Sequence, residues 1–170
     1  MEKEIINKVA NSGLINLDLA EFYPKGERAV YDIKQNLWQE FVLKEKEFRQ
    51  FVKENDWSVY QDKYVALLNS ADAIVPSWAF MILTEALEPF AKEVVKGNLE
   101  TLETVIFLNS MEKNLHPEDY TDQRVIIKGC GEIPIPDSAY VKAVNLLKPV
   151  VKSLMYGEAC SAVPVYKKRK

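Results

Sequence analysis

Cysteine and histidine are nearly missing from this chain: Cys130, Cys160 and His116 are the only such residues in 170. Two thiols cannot build the multi-bridge framework of a small secreted domain, and they read as reduced thiols rather than a structural disulfide. A single histidine, set before Pro117 in a polar loop, leaves histidine acid–base catalysis poorly supported. No apolar run reaches the roughly 18 residues that a membrane helix needs, so no span is expected. The start, Met1-Glu2-Lys3-Glu4, lacks the basic stretch and apolar core of a secretory signal, and the expected location is the cytoplasm. Neither charge sign dominates: 22 Lys and Arg stand against 25 Asp and Glu, a net charge of −3. That balance gives no pull toward nucleic acid, and the basic cluster from Lys167 to Lys170 is a tail. There is no Gly-x-Gly-x-x-Gly or Walker-type loop, which argues against a dinucleotide or nucleoside triphosphate. Cys130 has no arginine in the residues that follow it, and Arg28, Arg49, Arg124 and Arg169 lie away from the candidate loops. Cysteine-phosphatase chemistry is therefore not expected.

What is present is globular: 48% apolar and 28% charged residues, in a length that buries about two-thirds of its unfolded surface as a single domain over 1–170. Residues 2–11 read as a short helix with Ile5, Ile6 and Val9 on one face, stopped at Ser12-Gly13. Residues 28–33 and 37–43 have strand composition, and Gln35-Asn36 between them suggests a hairpin. Residues 44–54 carry Phe48, Phe51 and Val52 at helical spacing. Residues 1–57 thus form an N-terminal helix and hairpin layer.

From Tyr60 onward short apolar strands alternate with longer helices, the pattern of βαβ units. Strands are expected at 64–69, 93–96, 124–129 and 152–156, with helices at 76–90, 99–114 and 136–150. Sliding the chain by sixty positions superimposes Tyr60 on Tyr120, Asp62 on Asp122, Val65 on Val125, Pro76 on Pro136 and Ala79 on Ala139. Leu87, Pro89, Lys92 and Gly97 likewise meet Leu147, Pro149, Lys152 and Gly157, so nine of 38 positions are identical. Unrelated segments share about one position in sixteen, so two or three identities would be the chance result. The prolines suit helix starts and stops, and the glycines suit the turns that close the second strands. The expected fold is α/β, with duplicated βαβ units (60–97 and 120–157) forming a four-stranded parallel sheet of order 2-1-3-4.

Ligands of such sheets sit beyond the strand carboxyl ends, where the strand order reverses. That point lies between the loops 69–76 and 129–136, which offer Ser70, Asp72, Gly129 and Glu132 as ligand-binding candidates. Cys130 and Cys160 leave neighbouring strands in this topology, within reach of one metal ion. With Asp72, Glu132 or Glu158 as oxygen ligands they suit zinc or iron. There is no Cys-x-x-Cys spacing, and a buried pair of small apolar side chains accounts for the same thiols. Asp72 and Glu132 equally suit a proton- or metal-sharing pair or two loop carboxylates capping backbone N–H groups. Trp78 and Tyr140 either line the pocket or pack the core. The helix starts near 76, 99 and 136 provide generic anion affinity.

The runs Gln61-Asp62-Lys63-Tyr64-Val65-Ala66-Leu67, Ser70-Ala71-Asp72-Ala73-Ile74-Val75-Pro76 and Lys128-Gly129-Cys130 resemble a bacterial family catalogued as domain of unknown function 2480. So do Tyr156-Gly157-Glu158-Ala159-Cys160-Ser161 and Val163-Pro164-Val165-Tyr166. The resemblance covers essentially the whole chain and brings no activity or functional residue. It implies an accessory role beside the sulfur-mobilising machinery of iron–sulfur cluster assembly, with protein partners in that pathway. Three readings stand: a metal- or sulfur-binding accessory using both thiols, a non-enzymatic module binding a protein or small anion, and an enzyme with Cys130 as nucleophile.

Overall fold

The computed structural model describes residues 13–129, 131–158 and 161–169. Its strands are β1 (Leu14–Leu17), β2 (Arg28–Asp32), β3 (Tyr64–Leu68), β4 (Glu93–Lys96), β5 (Arg124–Ile127), β6 (Ser153–Tyr156) and β7 (Val163–Lys167). The helices are α1 (Glu45–Glu54), α2 (Ser77–Leu87), α3 (Leu99–Asn114) and α4 (Asp137–Leu147). Among the described residues no helix is long and apolar enough to cross a membrane. The expected helix at 2–11 lies outside the described residues.

The chain divides into two compact units: a continuous one, Pro24–Ile106, and a split one made of Met1–Tyr23 and Phe107–Lys170. The continuous unit holds a three-stranded parallel sheet of order β2-β3-β4. Side chains alternate across it, as a pleated strand requires. Tyr31, Val65 and Leu67 face Phe48 and Val52 of α1 and Ala79, Leu83 and Leu87 of α2, while Ala66 and Val95 face Leu102 and Ile106 in the first half of α3. The α1 helix follows from sequence: Phe48 and Val52 are one turn apart and buried, Glu45 and Glu47 occupy its first turn and Lys53 its last.

The split unit has a four-stranded sheet, β1-β5-β6-β7, parallel except for antiparallel β7. Leu17, Val125, Ile127 and Leu154 pack on Phe107 and Met111 from the second half of α3 and on Ala139, Ala143 and Leu147 of α4. Each fully buried Leu, Ile or Val of this kind contributes about 1.5–3 kcal/mol of apolar burial.

This corrects the expected sheet. Val65 lies in one sheet and Val125 in another, so the order 2-1-3-4 does not occur. The edge of β3 that would have met β5 is taken by β2, and the corresponding edge of β5 by β1. The expected hairpin is likewise replaced. Residues 33–36 form a 3-10 turn capped by Asp32, β2 runs parallel to β3, and residues 37–43 contribute only a Trp38–Val42 bridge.

The positions matched at a spacing of sixty are nonetheless built alike. Asp62 and Asp122 take left-handed φ of 59° and 55°, and their N–H groups donate to Phe90 O at 2.9 Å and Val150 O at 2.8 Å. Gly97 and Gly157, with φ of 149° and 111°, both donate N–H at 2.9 Å, to Leu67 O and Ile127 O respectively. Helices α2 and α4 each follow a proline cap, Pro76 or Pro136, with ψ of 143°. The likeness extends to the strands before these, since Asp18, directly after β1, and Asp32, the last residue of β2, each cap a 3-10 turn.

Candidate functional site

Each unit has a crevice where its middle strands end and the next helix begins. In the continuous unit it has a volume of about 390 Å³ and is lined by Asn69, Ile74, Ser77, Phe80 and Lys96. In the split unit it has a volume of about 360 Å³ and is lined by Ile127, Asp137, Tyr140, Tyr156 and Val165. Three pairs of walls match sixty positions apart: Ser77 with Asp137, Phe80 with Tyr140, and Lys96 with Tyr156.

The loop after β3 is tied down by side chains. Asn69 Nδ2 donates to Ala73 O at 2.9 Å, and its Oδ1 accepts from Ala71 N at 3.1 Å. Asp32 takes the Ser70 hydroxyl on one oxygen, and on the other the N–H groups of Lys34 at 3.0 Å and Ser70 at 3.1 Å. Burial pushes the Asp32 carboxyl upward, but the hydrogen bonds from Ser70 and Lys34 and the Lys34 charge outweigh it and leave the pKa below the ordinary value. Asp72, in the same loop, is exposed. Lys96 Nζ lies 5.4 Å from the centre of the Phe80 ring, beside the start of α2. Pro76 makes no side-chain hydrogen bond to that helix start.

The corresponding end of the split unit is differently furnished. Asp18 Oδ1 accepts from Ala20 N at 3.0 Å, and Lys128 Nζ donates to Oδ2 at 3.1 Å. The Ala20 hydrogen bond lowers the Asp18 pKa against an opposing burial effect, and Lys128 lowers it further. The Lys128 pKa is raised by its hydrogen bond to Asp18 first and then by that carboxylate's charge, with Glu158 and Glu21 adding to the field. Tyr156 stands edge-on to Tyr140, with centroids 5.5 Å apart and planes at 80°, and its hydroxyl donates to Gly129 O at 3.3 Å. A Cβ at Gly129 would lie 2.6 Å from the Tyr156 ring, so that side chain would have to shift to admit one.

Of the candidates read from sequence, Ser70 and Asp72 therefore belong to the continuous unit, and Gly129, Glu132 and Glu158 to the split one. Glu132 and Glu158 are exposed. The expectation that Asp72 and Glu132 face each other at a strand-order reversal loses its basis, because no pairing joins β3 to β5. Cys130 and Cys160 lie outside the described residues. Among the described residues, no group of three or more His, Cys, Asp or Glu side chains is arranged to hold a metal ion. His116 is an exposed turn residue with Nδ1 3.8 Å from Glu118, and Trp78 packs at 6.0 Å from Phe48.

Sequence reasoning missed Asp18, Asp32 and Lys128, which hold the chain after β1, β2 and β5 through side-chain hydrogen bonds. The available signal was an Asp between two core residues, Leu17-Asp18-Leu19 and Tyr31-Asp32-Ile33. A family model described as "Protein of unknown function (DUF2480)" matches residues 3–168. No curated protein and no solved structure matches the chain.

Proposed function

The chain belongs to the DUF2480 family, and from that premise we propose that it is a cytoplasmic accessory of iron–sulfur cluster assembly that binds zinc, iron or a sulfur species through Cys130 and Cys160. One observation carries the reading. Strands β5 and β6 are parallel neighbours with Ile127 opposite Tyr156, and Gly129 is pressed against the Tyr156 ring. The segments leading to the two cysteines thus leave adjacent strands, about 4.8 Å apart, at the same end of one sheet. Glu158 stands two positions before Cys160, and Asp18 follows the flanking strand β1 directly. Asp18 also corresponds to Asp32, whose partner Ser70 corresponds to Cys130. Two thiolates with Glu158 as an oxygen ligand suit either metal, and the thiolates supply the preference over hard cations. The same reading takes the two units as products of one duplicated segment, with thiols acquired in the split unit alone.

Metal analysis of protein purified without an affinity tag tests it. About one equivalent of zinc or iron per chain is expected, lost in the Cys130→Ser Cys160→Ser double variant. Protein that carries neither metal nor thiol-bound sulfur, or the same load after both substitutions, refutes it.

A second reading is favoured by Lys96. An ammonium group, the Ser77 hydroxyl and an uncapped helix start line one crevice of the continuous unit, a set that suits a small anion. The helix start of the split unit carries Asp137 instead. Titration with inorganic phosphate should then shift the Ser77 and Trp78 amide resonances, and Lys96→Gln should weaken that binding about tenfold. Shifts unaffected by Lys96→Gln would remove this reading.

A further inference from the structure

The crevice of the split unit is lined by Ile127, Asp137, Tyr140, Val144, Tyr156 and Val165, and neither reading above places a ligand there. Tyr140 and Tyr156 stand at 80° to each other with centroids 5.5 Å apart, so the two rings make perpendicular aromatic walls. Asp137, exposed in the first turn of α4, is the one charged wall, and among the described residues no lysine or arginine lines the cavity. The continuous unit shows what its own copy of this crevice holds. There Lys96 Nζ lies 5.4 Å from the centre of the Phe80 ring, and Phe80 and Lys96 correspond to Tyr140 and Tyr156. The chain itself thus supplies a cation to the aromatic wall of one crevice. In the other, a second ring replaces the lysine and a carboxylate replaces Ser77, and both changes favour a cation that the chain does not provide. We propose that this crevice binds the quaternary ammonium group of a small solute, with its methyl groups on Tyr140 and Tyr156 and its charge balanced by Asp137.

The lining sets the class of ligand. Aromatic faces carry the negative part of a ring quadrupole and attract a cation without hydrogen-bonding it. A primary ammonium brings three N–H donors, which walls made of rings, aliphatic side chains and one carboxylate do not meet; a quaternary ammonium brings none. Asp137 also offsets the partial positive charge at the start of α4, which would otherwise repel a cation. Exposed Glu132 and Glu158 add negative charge in the segments after β5 and β6, which disfavours a phosphate beside the ammonium and hence a phospholipid head group. The cavity, at about 360 Å³, falls at the small end of ligand pockets.

Choline is the probe, with 3,3-dimethylbutanol as its uncharged isostere and ethanolamine as its primary-ammonium counterpart, read by amide chemical shifts on the full chain. Choline is expected to shift Tyr140, Val144, Tyr156 and Val165 saturably, and to bind about tenfold tighter than either control. Tyr156→Leu keeps an apolar wall but removes the ring, so it should weaken choline about tenfold and leave the alcohol unchanged. Tyr156→Lys rebuilds the Lys96 arrangement of the continuous unit and should abolish choline binding. Asp137→Asn should weaken choline about threefold, the modest effect of an exposed charge. Should the Tyr156 variants fail to fold, Asp137→Asn decides. Shifts centred on other residues, equal affinity for choline and either control, or indifference to Tyr156→Leu would overturn the proposal. So would flotation of the chain with phosphatidylcholine vesicles, which would assign the crevice to a lipid head group.

Discussion

Gly129 and Asp18 show how single residues shape the strand ends. A methyl group at Gly129 would collide with the Tyr156 ring, whereas one at Gly131 would meet nothing within 4 Å. Because the clash is with the far end of the exposed Tyr156 side chain, Gly129→Ala should cost up to about 1 kcal/mol as that ring swings aside, and Gly131→Ala should stay within about 0.5 kcal/mol. Combining Gly129→Ala with Tyr156→Ala should recover part of the loss, so chemical denaturation of the double-mutant cycle measures the contact. Asp18 caps a turn and pairs with Lys128, so Asp18→Ala should cost about 1 kcal/mol at neutral pH, or a Tm drop of about 2–4 °C. Its carboxyl is depressed in the folded state, so this contribution is present above the unfolded value near 3.9 and fades as pH falls through the folded value. Wild type and Asp18→Ala should accordingly converge in stability as the solution is acidified below that range.

Among the elements, the alternating strands and helices after residue 60 were legible because each carries its own period. Residues 93–96 and 99–114 were read with the boundaries that β4 and α3 show. The stretch 28–43 misled, because two apolar runs close in sequence imitate a hairpin while nothing local reports a partner 36 positions away, as Ala29 has in Val65. Asp32 redirects the chain by capping a 3-10 turn, and the tight turn comes later, at Gln39 and Glu40 with φ of 49° and 64°. Both signs are those of a type I′ turn, for which Asn-Gly is better suited. Replacing Gln39-Glu40 by Asn-Gly should stabilise the protein by about 0.4–1 kcal/mol, seen as a raised denaturation midpoint without a change in slope.

For the whole molecule, the order of strands along the chain decides what can fold alone. The segment 24–106 contains all three strands of its sheet and two helices on one face, and extending it to 114 completes α3. Residues 24–114 expressed alone should give a cooperative thermal transition and a dispersed amide spectrum. Residues 107–170 lack β1, the partner of β5, and should not fold alone; broad, undispersed resonances are the expected outcome. The candidate sites were legible to different degrees for the same reason. Ser70 and Gly129 were marked by the loops that follow apolar strands, but Asp18 and Lys128 meet across 110 positions of chain, and no local pattern announces that meeting.

What the amino-acid sequence determined by itself was everything set by local period and by the sixty-residue match: strands that alternate with helices, and helices that follow Pro76 and Pro136. What only the tertiary structure decided was which strand occupies the open edge of β3 and of β5. A parallel strand offers the same N–H and C=O groups to any neighbour, so hydrogen bonding does not choose between β2, β1 and each other. The choice falls to side chains brought from far along the chain, Tyr31 onto the α1 and α2 core and Leu17 onto the α3 and α4 core. That packing divides the matched strands between two sheets and gives each unit a crevice of its own.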